Sequence, residues 1–184
     1  MAMVIIMQQF TKKEIKSSML RLLQSKPLDS IKVKDIIDDI GISRNTFYYH
    51  YHDIYDVLKD IFDDSMAEVN KPKPERFDWE EAFQKMSENS LIKKSIITNI
   101  FKSKYSDNIK AYVTDTVGEA VYKRIKAELS AQNKDVDDFD LKIVTTFYKH
   151  AITGTFFEWV HNGMNVPPKD FLEKLGQISG KYRL

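Results

Sequence analysis

Between Pro74 and Pro167 the chain contains no proline, and its apolar residues recur three and four apart instead of alternating. Proline removes an amide donor and clashes with the preceding turn, so a helix tolerates it only near its start. The five prolines, Pro27, Pro72, Pro74, Pro167 and Pro168, therefore read as punctuation between helices. The spacing predicts nine helices, over residues 10–26, 33–40, 44–50, 53–69, 78–89, 91–103, 107–130, 138–163 and 168–180, and no strand. The expected fold class is all-α. Residues 70–77 (NKPKPERF) read as a linker between an N-terminal unit, residues 1–69, and a larger helical body, residues 78–184.

Of the 184 residues, 42% are hydrophobic, enough for a sizeable core. The absence of cysteine excludes disulfides, thiolate nucleophiles and sulfur-ligated zinc, and fits a reducing interior. The longest apolar run, Met1 to Met7, falls far short of the ~20 residues that span a bilayer. A cytoplasmic protein with no membrane partner is expected, with the first six residues outside the fold.

The net charge of +1 hides an uneven distribution: residues 1–50 carry eight Lys/Arg against five Asp/Glu, and residues 51–70 carry one against six. Positive charge is thus concentrated where a polyanion would dock. Residues 31–51 (IKVKDIIDDIGISRNTFYYHY) carry the most information. Val33, Ile36, Ile37 and Ile40 form the apolar stripe of a short helix, Gly41 can end it in a left-handed conformation, and Ser43 can cap the next. About three residues are left between the two helices, as a helix-turn-helix over residues 32–51 requires.

On a wheel of 100° per residue, Phe47 and Tyr51 fall on the inner side of the second helix. The outer side centres on Asn45 and Tyr49, flanked by Thr46 and Tyr48 and bordered by Arg44 and His50. Arg can bond guanine bidentately, Asn can do the same for adenine, and Thr or aromatic edges can touch thymine methyls. Tyrosine hydroxyls and the imidazole can hold phosphate oxygens, while Lys32 and Lys34 add charge beside the amides that open the preceding helix.

These residues resemble the TetR family of one-component transcription regulators. The resemblance lies in Ile31-Lys32-Val33-Lys34-Asp35-Ile36 followed by Gly41-Ile42-Ser43-Arg44-Asn45-Thr46-Phe47-Tyr48-Tyr49-His50-Tyr51, and covers about residues 10–60. It implies a three-helix DNA-binding head, a homodimer on a palindromic operator, and a C-terminal domain that dimerises and senses a small-molecule or protein effector. It also implies base or phosphate contacts at Lys32, Lys34, Arg44, Asn45, Thr46, Tyr48, Tyr49 and His50. One departure stands out: where the family commonly places a phosphate-holding lysine, this chain has Ile54, within His52-Asp53-Ile54-Tyr55-Asp56. A subgroup with this pattern carries a late aromatic-Glu-Trp helix ending in Asn-Gly-Met, to which Phe157-Glu158-Trp159 and Asn162-Gly163-Met164 are similar.

In the C-terminal body, Tyr148, Ile152, Phe156 and Trp159 form one stripe, and the small residues Ala151, Gly154 and Thr155 another. A helix apolar on two sides needs two partners, so the small-residue side is expected at a dimer interface, together with Leu172 and Leu175 of the last helix. Phe83, Phe101, Tyr112, Phe147 and Trp159 are candidates to line an effector cavity. No catalytic motif occurs, and the pairs His50/His52 and His150/His161 are spaced wrongly to chelate one ion, so neither enzyme activity, cofactor nor metal is expected. The competing expectation is an interaction protein, or an activator controlled by a protein partner.

Overall fold

A computed structural model describes residues 2–69, 83, 84, 87, 94–134 and 137–182. All regular structure among the described residues is helical: α1 (Ala2–Ser25), a 3-10 turn (Leu28–Ser30), α2 (Val33–Ile40), α3 (Arg44–His50), α4 (Ile54–Val69), α5 (Lys94–Phe101), α6 (Ser106–Ala131), α7 (Asp138–His161) and α8 (Pro168–Tyr182). The expected boundaries agree within a few residues, except at α1. That helix starts at Ala2, so the backbone of residues 2–6 continues it. The physical reason is that no cap or breaker stands between Ala2 and Phe10, where Ala, Met and Gln all favour helix. Of the expected helix over 78–89, residues 83, 84 and 87 are helical and the rest lie outside the described residues, as does the expected linker.

The chain divides into two compact units, one of Met1–Glu68 with Ser95–Lys104, the other of Val69–Lys94 with Tyr105–Leu184. In the first, α1 turns Ile15, Met19 and Leu23 inward at i, i+4 and i+8, all fully buried. Leu28, Ile36, Phe47 and Val57, buried with them, come from the turn and from α2, α3 and α4. Burying such side chains stabilises by about 1.5–3 kcal/mol each. The segment 95–104, which the sequence reading assigned to the C-terminal body, belongs to this unit. Asn99 Nδ2 donates to the Leu23 carbonyl at 2.8 Å, and the Lys104 amide donates to Asp29 Oδ2 at 3.1 Å. These are polar ties, which leave no trace in apolar periodicity.

In the second unit α6 and α7 form an antiparallel hairpin. Thr114 Oγ1 meets Thr153 Oγ1 at 3.4 Å, Lys149 Nζ reaches Asp115 Oδ1 at 3.5 Å, and the Tyr122 hydroxyl donates to Asp138 Oδ1 at 3.2 Å. Val113, Val117 and Val121 of α6 and Leu141, Ile152, Phe156 and Trp159 of α7 are buried. The Asn162-Gly163-Met164 string stops α7: Gly163 adopts φ 79°, the Met164 amide reaches back to the Trp159 carbonyl at 2.9 Å, and the Met164 side chain is buried. That pattern closes orphan carbonyls and seals them with an apolar contact. Trp159 Nε1 donates to the Val166 carbonyl at 2.7 Å, bringing the chain round to α8, where Phe171 lies 5.6 Å from Phe83 between ring centres.

Candidate nucleic-acid interface

The turn between α2 and α3 forms as its residues dictate. Gly41 has φ 68° and ψ 32°, and its amide bonds the Ile37 carbonyl at 2.9 Å, ending α2. Ser43 then opens α3, its Oγ accepting the Thr46 amide at 3.0 Å. Phe47 is fully buried and Tyr51 nearly so, which turns the opposite side of α3 to solvent. Arg44, Asn45, Tyr48 and Tyr49 are exposed there, the two tyrosines by 50% and 69%, and Thr46 and His50 are half-buried at its borders. Two bulky aromatics are thus held in water by a helix whose other side is core.

Several of these groups already have partners within the protein. Thr46 Oγ1 shares a 2.8 Å hydrogen bond with Ser43 Oγ, so its hydroxyl is engaged in the cap. The Tyr49 hydroxyl accepts from Gln8 Nε2 at 2.7 Å, and its ring meets His50 edge-on with centres 5.0 Å apart. Burial lowers the His50 pKa below its ordinary value and the Lys12 ammonium lowers it further, so the imidazole is neutral near pH 7. Lys32 and Lys34 are exposed at the start of α2. The Lys32 amide, however, donates to Asp35 Oδ2 at 2.7 Å, and Lys26 Nζ lies 3.1 Å from the same oxygen. The Lys32 amide above all, with help from Lys26, holds the Asp35 carboxyl below the usual carboxylate range. One donor at this helix start is therefore occupied by the chain itself.

Where the family pattern has lysine, Ile54 is half-buried. Asp53 caps α4 instead, Oδ1 accepting the Tyr55 amide at 2.7 Å and the Asp56 amide at 3.1 Å. Gln8, Lys12 and Asp60 carry no signal in the sequence, yet all three contact Tyr49 or Tyr51 at the C-terminal end of α3. No local pattern could have found them, since each lies at least nine residues away from its partner there.

In the second unit Phe147 and Leu172 stand elsewhere than expected. Phe147, expected in a cavity, is 68% exposed. Phe101 is half-buried and belongs to the first unit, whereas half-buried Tyr112, buried Trp159 and fully buried Phe83 belong to the second. Wheel position alone could not distinguish these environments. Of the expected interface residues, Gly154 is exposed and Ala151 and Thr155 are half-buried, but Leu172 is buried within its own unit. The Leu175 side chain lies outside the described residues. On the side of α7 that carries Gly154, larger groups are exposed as well: Phe139 is 66% and Ile143 52% exposed, and Phe147 continues their line.

A family model described as the transcriptional regulator C-terminal region of the TetR class matches residues 78–181. Among solved structures, the dihydroxyacetone kinase operon activator DhaS is similar in fold, with a TM-score of 0.67 over 94% of this chain and 96% of that one, at 19% identity. No curated protein matches in sequence. With the family model spanning more than half of the chain, and with the whole fold shared, the protein belongs to the TetR family of transcriptional regulators.

Proposed function

We propose that the chain is a sequence-specific regulator that binds duplex DNA in the cytoplasm as a homodimer, through residues 1–69, on a palindromic operator. The observation that carries this reading is the exposed side of α3, where a helix seated by Phe47 and Tyr51 holds Arg44, Asn45, Tyr48 and Tyr49 in water. Arg44 and Asn45, at the helix N-terminus, suit base edges in the major groove. Tyr48, Tyr49 and His50 suit phosphate and thymine contacts, with Lys32 and Lys34 adding phosphate attraction. Thr46 contributes its methyl group, since its hydroxyl serves the cap. Dimerisation rests on residues 78–184, through the side of α7 bearing Phe139, Ile143, Phe147 and Gly154. Exposed phenylalanines in line on one helix are otherwise a solubility liability.

Selection from random duplex DNA at low salt tests the reading, run with wild type and with Asn45→Ala and Tyr48→Ala. A palindromic consensus with wild type, and a loss of at least about tenfold in affinity for each variant with the dimer intact, is expected. Equal affinity in all three would overturn the assignment of α3.

Within this reading, a dimer seated on promoter DNA represses, and an effector bound by the C-terminal unit releases it. A second reading is an activator controlled by a protein partner. It is favoured by the fold shared with an operon activator and by the outward position of Phe147, which removes one wall from the expected cavity. Transcription from a promoter carrying the selected operator separates the two: it falls on adding a repressor and rises on adding an activator.

A further inference from the structure

The reading helix is short. Seven residues make about 10 Å of helix, well below the length that is stable in isolation, so its seat on the rest of the head determines where its side chains point. Phe47 anchors it by apolar contact, which is not directional and leaves rotation and slide weakly defined. A buried directional tie lies just past the C-terminal end of α3, in addition to the exposed Gln8–Tyr49 bond. Tyr51, immediately after α3, is 4% exposed, and its hydroxyl donates to Asp60 Oδ2 on α4 at 2.5 Å.

Asp60 does not stand alone. Lys12 Nζ lies 3.3 Å from its Oδ2 and Lys16 Nζ 3.6 Å from its Oδ1, both from α1, and Lys16 also pairs with Asp64. Lys12 Nζ sits 5.1 Å from the centre of the Tyr51 ring as well. Burial works to raise the Asp60 carboxyl, but the Tyr51 hydroxyl and the two lysines together hold it below its ordinary range. Desolvation foremost, and then the Asp60 bond, push the Tyr51 hydroxyl well above its ordinary value, so it remains a donor. Helices α1 and α4 thus meet the end of α3 at one carboxylate. Phenylalanine would satisfy the apolar environment of residue 51 equally well, whereas a buried hydroxyl costs stability unless it is bonded.

We infer that Asp60 is a positioning residue for DNA reading: through the Tyr51 hydroxyl it fixes the seat of α3, and with it the aim of Tyr48, Tyr49 and His50. The inference rests on the proposed DNA-binding reading. It follows because recognition groups lose their partners when displaced by about an ångström, and Tyr49 and His50 directly precede the tied residue.

The test uses the full chain with Tyr51→Phe, Asp60→Asn and the double variant. Tyr51→Phe keeps the ring and the charge. Affinity is measured for the duplex selected by wild type and for an unrelated duplex. Expected is a fall of about tenfold in the ratio of specific to non-specific affinity for each single variant, with the double variant within about twofold of the weaker single. A role in stability alone lowers the folded fraction and both affinities in proportion, leaving the ratio unchanged. An unchanged ratio in Tyr51→Phe overturns the inference.

Amide exchange on the DNA-free protein provides a second readout. Tyr51→Phe is expected to speed exchange at residues 47–51 by about tenfold while α2 is unaffected. Equal exchange in wild type and variant overturns the tie whatever happens with DNA. Faster exchange in a protein whose wild type retains no duplex upholds the tie and overturns the DNA reading.

Discussion

His50 stands at the border of the exposed side of α3 with Lys12 nearby, and both its burial and that ammonium favour the neutral imidazole. Its folded pKa lies below the unfolded one of about 6.5, so the unfolded chain binds the proton more readily. The stability that His50 contributes is therefore intact above that unfolded value and is lost as pH falls toward the folded pKa. A phosphate beside the imidazole acts in the opposite sense, favouring the cation and raising the pKa in a complex. Specific DNA affinity is thus expected to rise several-fold as pH is lowered from 7.5 to 5.5, with proton uptake on binding. His50→Gln should flatten the profile. Binding isotherms at the two pH values check this, and an equal rise in the variant would overturn the proposed phosphate contact at His50.

At the scale of elements, α3 depends on the turn that precedes it. A Cβ at Gly41 would meet nothing within 4 Å, so only the backbone conformation, φ 68°, penalises a side chain there. Gly41→Ala is expected to cost roughly 1–2 kcal/mol, seen as a lower melting temperature, with operator affinity falling as the turn loosens. The α6–α7 hairpin offers a contrasting case. Thr145 Oγ1 on the buried side of α7 has no hydrogen-bond partner among the described residues, although the residue is only 8% exposed. A buried hydroxyl without a partner costs about 1–3 kcal/mol, and valine has nearly the same shape. Thr145→Val should therefore leave the melting temperature unchanged or raise it. A marked drop would mean that the hydroxyl is bonded in solution.

For the whole molecule, reading a palindrome requires two heads about 34 Å apart, and a single short helix on each. If the proposed dimer forms through α7, the exposed line of Phe139, Ile143 and Phe147 sets DNA affinity as well as assembly. Phe147→Glu is expected to shift the protein from dimer to monomer in sedimentation and to weaken operator binding by at least about tenfold, because the second head is no longer tethered. The same variant should leave the fold of the monomer intact, since Phe147 is 68% exposed and little of its ring packs against its own chain. A dimer that survives the substitution would move the interface to another side of the molecule.

The helices and the outward side of α3 were legible in the residues because they depend on local physics. Apolar spacing sets helix faces, Gly41 and Ser43 set the turn, and Phe47 sets which side of a seven-residue helix is core. The family resemblance of residues 31–51 follows from the same short-range pattern. What only the tertiary structure decided are the contacts between residues far apart in the chain: Gln8 with Tyr49, Asn99 with the Leu23 carbonyl, Lys12 with Asp60, and the outward position of Phe147. A hydrogen bond to a distant partner has no period, and an aromatic residue on a long helix packs inward or outward according to what lies opposite. Sequence alone therefore determined which groups α3 offers to a partner, and the packing of α1 and α4 around Tyr51 determined how α3 is held.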